Sequence, residues 1–470
     1  MDTDEPESRS SDEPENRSSD QLEDRPYSDR IDVLPGDPPV AYRPGRVLVD
    51  EAAHEAILGR YGRGRPIFVA PDGDQIDLPF GQWYRMDGVV DAPGLVAELT
   101  ASGYTAQLDI VYFANDSDCC GCPPHPALAA EIAADPWGAN PWKANPWKAN
   151  PWKANPWKAN AESLNLVATG KAPTSSVMPA RKPSSPVRPP HRAGDPPNGV
   201  VIGVLDSGLA GGPTNADGLR PQLLGTNKAS LDRIRGSLDR PSQRIGPGPI
   251  DNYLDPVAGH GTFIAGIIEQ LTPGCTIRVR SVLRPEGDVD ESTLAPELWR
   301  LMLEDKPRIV NFSFGGTRTG NATLFELVIN HYHELHGVVF VGAAGNEGSC
   351  VEQYPAALAS VIGVAALGPT GPAPWSNYGA WVNACAPGTD LVSSFFAKFD
   401  GAMPRINGFD PDSFDEWATW SGTSFAAPVV VAALAREMAT PPCTAAQAVE
   451  RVVNASHLAR LPNMGTIVNY

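Results

Sequence analysis

Between residues 135 and 160 the motif Asn-Pro-Trp-Lys-Ala recurs in tandem, with Trp137, Trp142, Trp147, Trp152 and Trp157 one period apart. A proline every fifth residue breaks any helix that enters the segment. A period of five also spreads the indoles around a helical axis, so no apolar stripe forms. What remains is an extended, turn-punctuated tether. The chain must therefore fold as separate units on either side of it. Gly (45) and Pro (48) make up about a fifth of the 470 residues, against a usual share of about 12%. Two readings of the repeat stay open. It is either a multivalent motif, with Trp as anchor and Lys for an acidic partner or a cation–π contact, or a tandem expansion that lengthens a linker.

The flanking texture divides the chain into four. Residues 1–38 read as a disordered acidic tail, in which Asp4-Glu5-Pro6-Glu7-Ser8-Arg9-Ser10-Ser11 is followed by Asp12-Glu13-Pro14-Glu15-Asn16-Arg17-Ser18-Ser19; it has almost nothing to bury. Residues 39–116 read as a small α+β unit. Strands are predicted at Arg46–Val49, Pro66–Ala70, Trp83–Tyr84 and Gln107–Ala114, and helices at Glu51–Tyr61 and Pro93–Ser102. The order βαββαβ predicts a ferredoxin-like sandwich. Residues 117–197 hold the repeat, a Pro- and Ser-rich linker with Arg181, Lys182, Arg188 and Arg192 that invites proteolytic processing, and a cysteine cluster. Cys119, Cys120 and Cys122 are compatible with zinc if a fourth ligand such as His125 joins them, or with a reduced loop or a local disulfide. Seven cysteines, an odd number, form no disulfide framework.

The net charge of -18 argues against nucleic acid as a main partner, because phosphate binding needs a basic surface. No apolar run approaches the roughly 18 residues of a membrane helix. The N-terminus lacks the basic start and apolar core of a signal peptide. A cytoplasmic location is therefore expected, with secretion by an unrecognised route as the alternative.

From residue 198 to the C-terminus apolar runs alternate with helix-length segments. Strands are predicted at Val200–Leu205, Thr276–Leu283, Arg308–Phe314, Val338–Val341 and Val361–Ala366, and helices at Gly261–Gln270, Glu291–Glu304 and Leu324–Glu334. This alternation predicts an α/β domain with a mostly parallel sheet covered on both faces. In such sheets functional residues cluster at the carboxyl ends of strands. Asp206 follows the first run, His260 opens a helical segment, Asn346 follows the strand ending Ala343-Ala344-Gly345, and Ser424 lies in Gly422-Thr423-Ser424-Phe425-Ala426-Ala427-Pro428. Taken singly these are a turn former, a cap, a turn and a packing motif. Together they are the parts of an acyl-transfer site. A serine needs a base to take its proton, a buried carboxylate orients the imidazole, and an amide such as Asn346 beside the Ser424 N–H stabilises an oxyanion.

Asp206-Ser207-Gly208, His260-Gly261-Thr262, Gly345-Asn346-Glu347-Gly348 and Gly422-Thr423-Ser424, in that order, make residues 198–470 resemble the subtilisin-like serine peptidases. The resemblance implies a catalytic triad of Asp206, His260 and Ser424, with Asn346 at the oxyanion. It also implies a substrate edge at Ser313, Phe314 and Gly315 that takes an extended peptide by strand addition. Ala343, Ala344 and Gly345 would then wall an open apolar pocket, with large apolar side chains preferred before the scissile bond. Phe263 and Phe425 stand where the family often has His and Met. The acidic loop 251–255 offers no assignable calcium ligands, and no metal or cofactor is expected. The resemblance further implies that residues 39–116 are prodomain-like, so that a serine endopeptidase is made latent and then processed. The rival expectation is a catalytically silent peptide-binding scaffold that displays the Trp repeats.

Overall fold

The computed structural model describes residues 30–70, 73–114, 177–180, 200–210, 234–236, 238–239, 257–284, 287–318, 320, 322–400, 405, 410, 413–439 and 442–469. The cysteine cluster, the Trp repeat, nearly all of the 117–197 linker and the 251–255 loop lie outside them.

The N-terminal unit comprises β1 (Asp32–Leu34), β2 (Val40–Asp50), α1 (Glu51–Tyr61), β3 (Arg65–Pro66), β4 (Trp83–Asp87), α2 (Ala92–Ala101) and β5 (Ala106–Ala114). Its strands are ordered β5-β2-β4-β3 and antiparallel, the arrangement predicted from βαββαβ. Asp50 and Asp91 cap the two helices by accepting from Ala53 N and Gly94 N at 2.8 and 2.9 Å. Two expectations need correction. Residues 32–34 belong to a strand and not to the acidic tail, because the backbone of β2 offers an edge to pair with while their side chains stay largely exposed. The strand expected over Pro66–Ala70 shrinks to Arg65–Pro66 and an isolated bridge from Val69 to Gln75, in keeping with a proline that donates no ladder hydrogen bond.

Within the segment expected to be linker, Met178–Pro179 form β6; beyond it follow β7 (Val201–Asp206), β8 (Leu209–Ala210), β9 (Ile234–Gly236), β10 (Leu238–Asp239), α3 (His260–Leu271), β11 (Thr276–Ser281), β12 (Asp288–Asp290), α4 (Glu291–Glu304), β13 (Ile309–Phe312), β14 (Phe314–Gly315), α5 (Leu324–His336), β15 (Val339–Ala343), β16 (Val361–Gly368), β17 (Gly371–Pro372), β18 (Ala384–Pro387), β19 (Leu391–Asp400), β20 (Ser413–Trp420), with which β6 pairs antiparallel, and α6 (Thr423–Ala439). Seven strands of the central sheet run β18-β16-β15-β13-β7-β11-β9, all parallel; β17 adds antiparallel to β16, and Gly465–Ile467 and Arg460–Leu461 extend the sheet beyond β18, the first parallel to it and the second antiparallel to the first. Alternation along each strand feeds two cores. Ile202, Val204, Ile309 and Val341 pack with α3 and α6, whereas Val310, Phe312 and Phe340 pack with α4 and α5. Helices thus cover both faces, as an apolar parallel sheet requires.

The two units share a core. Phe68 and Phe80 of the N-terminal unit meet Trp299 of α4 edge-on at 6.1 and 5.8 Å. The last strand of that unit carries its sheet into the other unit: residues 106–110 of β5 stay paired with β2, while β5 also pairs antiparallel with β12, and its end pairs with β14.

Candidate active site

Strand β7 ends at Asp206, and the register of the sheet delivers the neighbouring groups. Val282 N and Leu283 N donate to the Asp206 carbonyl at 2.7 and 3.2 Å. This ends β11 two residues before the predicted Leu283. The carboxylate Oδ1 accepts from Ser207 N at 2.7 Å and lies 2.8 Å from His260 Nδ1, with both side chains fully buried. His260 is the first residue of α3. Its N-cap, Gly259, sits at φ +79°, and a Cβ there would strike the Phe395 ring. Ser207 holds this turn from the side, its hydroxyl accepting from Gly261 N at 3.1 Å.

Phe263 and Phe425 meet at 4.6 Å between ring centroids with their planes tilted by 56°, and Trp420 packs on both. The His260 ring lies 5.1 Å from Phe425 and 5.4 Å from Trp420. The two departures from the family pattern therefore form one aromatic wall behind the imidazole. Trp420 comes from the β19–β20 hairpin, which the sequence reading did not predict.

Ser424 is the second residue of α6, where a backbone N–H has no acceptor within the helix. Four residues on stands Pro428, which has no N–H to return to the Ser424 carbonyl. That carbonyl instead accepts from the Ser313 hydroxyl at 2.9 Å, and the Ser313 hydroxyl accepts from Asn311 Nδ2 at 2.9 Å. The Ser424 hydroxyl donates to the Ser313 carbonyl at 3.3 Å. The heads of α3 and α6 are thus packed together. Asp206 and His260 are joined directly, and the serine hydroxyl is turned toward the edge strand.

Asn346 Oδ1 accepts from both Thr423 N and Thr423 Oγ1 at 2.9 Å, and Thr423 Oγ1 accepts from Gly345 N at 3.1 Å. The loop carrying Asn346 is thereby tied to the start of α6, one residue before Ser424. A second clamp was missed from sequence. Asn377, fully buried, accepts from Glu347 N and Ser349 N at 3.1 and 2.8 Å, and donates to the Ala344 carbonyl and the Glu347 carboxylate at 3.0 and 2.5 Å. Gly345 at φ +104° leaves the space that the Asn377 amide fills. The only signal in the sequence was an Asn in a turn-like Ser-Asn-Tyr-Gly stretch, which does not point to a partner 30 residues away.

Of the expected substrate edge, Phe314 and Gly315 form β14, opposite Ala114 and Phe113 of β5. The ladder continues on the other side, where Ala114 N donates to the Gly287 carbonyl at 2.7 Å and β12 pairs with Val111 to Phe113. Residues 112–114 therefore run as an extended strand between two edges. Ala343 and Ala344 are fully buried at the end of β15.

Farther along β5, polar side chains reach the starts of two helices. Asp109 accepts from Ser292 N and Ser292 Oγ, both at 2.9 Å, at the head of α4. Gln107 accepts from Leu324 N at 2.8 Å at the head of α5 and donates to Glu291 at 2.9 Å, and Glu291 accepts from Phe325 N at 2.5 Å. Arg43 and Arg46 of β2 pair with Asp290, and Arg43 and Arg284 both bind Asp288. Burial, with Asp290 adding to it, pushes the Asp109 carboxyl up to about 7. Burial does the same for Glu291, also to about 7.

The family profile described as "Subtilase family" matches residues 197–464. Among curated proteins the chain is similar to a thermostable alkaline protease of Halalkalibacterium halodurans, 30% identical over 52% of this chain and 59% of that one. It is also similar to a thermophilic serine proteinase of a Bacillus species, 30% identical over 47% and 52%, and to a probable subtilase-type serine protease of Deinococcus radiodurans, 28% identical over 50% and 33%. The chain thus spans from a third to three fifths of the length of these relatives. A cold adapted subtilisin-like serine proteinase of known structure is 21% identical over 58% of this chain and 88% of its own, with a TM-score of 0.41.

Proposed function

The chain belongs to the subtilase family, and from that premise we propose that it is a serine endopeptidase kept latent by its own N-terminal unit. The observation that carries the reading is the fully buried pair of Asp206 and His260, 2.8 Å apart at the head of the helix that packs beside Ser424. A carboxylate in that position keeps the imidazole in one tautomer and stabilises it when it gains a proton. His260 then takes the proton of Ser424 as the hydroxyl attacks the peptide carbonyl, and returns it to the departing amine. The existing bond from Ser424 to the Ser313 carbonyl, at 3.3 Å, is long and is given up at small cost. Asn346 Nδ2 and the Ser424 N–H serve the oxyanion. The substrate adds as a strand along Ser313 to Gly315, its main chain supplying affinity; Ala343, Ala344 and Gly345 wall the pocket beside the scissile bond. Latency is supported by β5, whose end already pairs with that edge.

The test is fluorophosphonate labelling and N-terminal mapping of the purified chain, wild type against Ser424→Ala. Labelling and self-trimming in the wild type alone are expected. An unlabelled wild type, even after removal of the N-terminal unit by an added protease, would sink the reading.

A further inference from the structure

Ser313 and Ser424 are bonded to each other twice. The Ser424 hydroxyl donates to the Ser313 carbonyl at 3.3 Å, and the Ser313 hydroxyl donates to the Ser424 carbonyl at 2.9 Å. The first bond breaks when the Ser424 hydroxyl turns to His260. The second uses only main chain on the Ser424 side, so it persists while the side chain reacts. Ser313 also stands at the head of β14 (Phe314–Gly315), the edge along which a peptide would add. One residue thus touches both the backbone of the nucleophile and the strand that aligns the scissile bond.

The need for this bond arises in α6. Pro428 stands four residues beyond Ser424; it has no N–H to donate, and its ring crowds the carbonyl four residues back. The residues before Ser424 are held by other groups. Gly422 N donates to the Gly388 carbonyl at 2.8 Å, and Thr423 N donates to Asn346 Oδ1 at 2.9 Å. Asn311 gives a second sign. It lies on β13 between Val204 and Val341, and both Asn311 and Ser313 are fully buried. The single proton of the Ser313 hydroxyl goes to the Ser424 carbonyl, so Asn311 must present Nδ2 to Ser313, and it does so at 2.9 Å. Its Oδ1 then meets no donor among the described residues. An amide half satisfied in an apolar core is destabilising and calls for a reason. Aiming the Ser313 hydroxyl supplies one.

We propose that Ser313, its hydroxyl aimed by Asn311, is a positioning residue for the nucleophile: the hydroxyl replaces the helix bond that Pro428 removes and pins the Ser424 main chain to the edge on which substrate aligns. The proposal rests on the peptidase reading above and adds to it the device that fixes the distance from hydroxyl to scissile carbonyl. A misplacement of about 1 Å costs up to about 10² in rate. Loss of one neutral hydrogen bond allows a smaller shift, and a cost of about tenfold is expected.

The test is a second-site rescue in the full chain. Ser313→Ala should lower kcat and the rate of fluorophosphonate labelling about tenfold. KM for a small fluorogenic peptide should stay within about twofold, because the Ser313 main chain still takes the peptide. Pro428→Ala alone should stay within about twofold of wild type in both readouts, since the Ser313 hydroxyl still holds the carbonyl. Ser313→Ala combined with Pro428→Ala should recover most of the lost kcat, since an N–H at position 428 then donates to the Ser424 carbonyl. Asn311→Leu should lower kcat in the wild type and cost nothing further in Ser313→Ala. A double variant as slow as Ser313→Ala, or a loss carried by KM alone, overturns the proposal. A second measurement needs no activity, because Ser424→Ala keeps the carbonyl. In that chain Ser313→Ala should lower Tm by about 2 to 4 °C, and Pro428→Ala should raise Tm more with Ser313→Ala present than without it. Equal effects of Pro428→Ala in the two backgrounds overturn the shared contact. Failure of the wild type to label or to cleave brings down the peptidase reading and the positioning role with it; the Tm comparison then decides the contact by itself.

Discussion

Raising the pH from 5 to 8 should loosen β5 from the second unit through Asp109 and Glu291. The Asp109 carboxyl is fully buried, pushed up to about 7 by that burial and by Asp290, against the Ser292 N–H, Arg46 and the Ser292 hydroxyl. Glu291 is pushed to about 7 by burial, against the Phe325 N–H, Thr323 and Gln107, with Asp109 adding to the push. Once β5 leaves, water reaches Asp109, and an exposed carboxylate titrates near 4. The docked state therefore holds protons that the undocked state has released. Docking is strongest below about pH 4, weakens between about 4 and 7, and levels off above about 7. One such proton changes the docking constant about tenfold per pH unit, roughly 1.4 kcal/mol, and two together about a hundredfold. Asp290 adds little slope. Burial disfavours its charge, yet the Arg284 guanidinium holds it well below the usual carboxylate range, and Arg284 stays with it in both states. Exchange of the Ser292 amide in the full-length Ser424→Ala chain, corrected for the intrinsic pH dependence of exchange, measures this directly, since that amide donates to Asp109 at 2.9 Å. Asp109→Asn keeps an acceptor oxygen and removes the charge, so about one proton of slope should vanish. Flat protection from pH 5 to 8, or an unchanged slope in Asp109→Asn, would refute the account.

Asn346→Ala should lower kcat by about 10² to 10³, the size found when the oxyanion amide of subtilisin itself is removed; steady-state kinetics on the trimmed chain check it. Asn377→Ala removes the four side-chain hydrogen bonds that hold the Asn346 loop. Roughly 3 kcal/mol of stability should be lost with the buried partners left unmet, seen as a lower Tm and slower fluorophosphonate labelling. Arg43 is 1% exposed and binds Asp288 and Asp290 across the two units. Breaking a buried pair costs about 3 to 5 kcal/mol, so Arg43→Met should raise the peptidase activity of the untrimmed chain toward a small fluorogenic peptide; unchanged activity would separate the ion cluster from latency.

The parts legible in the sequence were those that local physics dictates. Helix Glu51–Tyr61 starts behind Asp50, which accepts from Ala53 N, and helix Glu291–Glu304 falls where its apolar spacing puts it. The ends of the strands predicted beyond residue 198 were also close, because an apolar run stops where burial stops, whereas β2, β3 and β4 of the N-terminal unit ended elsewhere. The groups Asp206, His260, Asn346 and Ser424 announced themselves through short glycine-rich contexts. What sequence could not convey was pairing between distant segments. The contact of β5 with β14 is made by backbone groups that every residue carries. Arg43 and Asp288 lie 245 residues apart, and nothing in either neighbourhood names the other. Asn377 looks like a turn residue until the loop that it clamps is folded around it. The β19–β20 hairpin was missed because masked alternation and a long intervening segment weaken any period-two signal.

On the proposal that β5 keeps the chain latent, the way it divides its contacts bears on release. Residues 112–114 use the same edges that a peptide would use, so any good substrate could in principle displace them. Gln107 and Asp109 make bonds at the heads of α4 and α5 that a short peptide has no residues to make. Arg43 and Arg46 of β2, which a short peptide also lacks, add an ion cluster with Asp288 and Asp290, opposite Phe113 and Val111. Competition is therefore decided outside the cleft, and covalent attachment decides it further, since a tethered ligand acts at an effective concentration on the order of millimolar. Cutting the chain between residue 114 and residue 177 removes that advantage and leaves the described contacts of β5 in place. The cut unit must then hold by affinity alone, and that affinity falls as pH rises through the range where Asp109 and Glu291 give up their protons. Cleavage and alkaline shift should thus act together: either alone leaves most of the blocking contacts in place, and both together should release the edge to substrate.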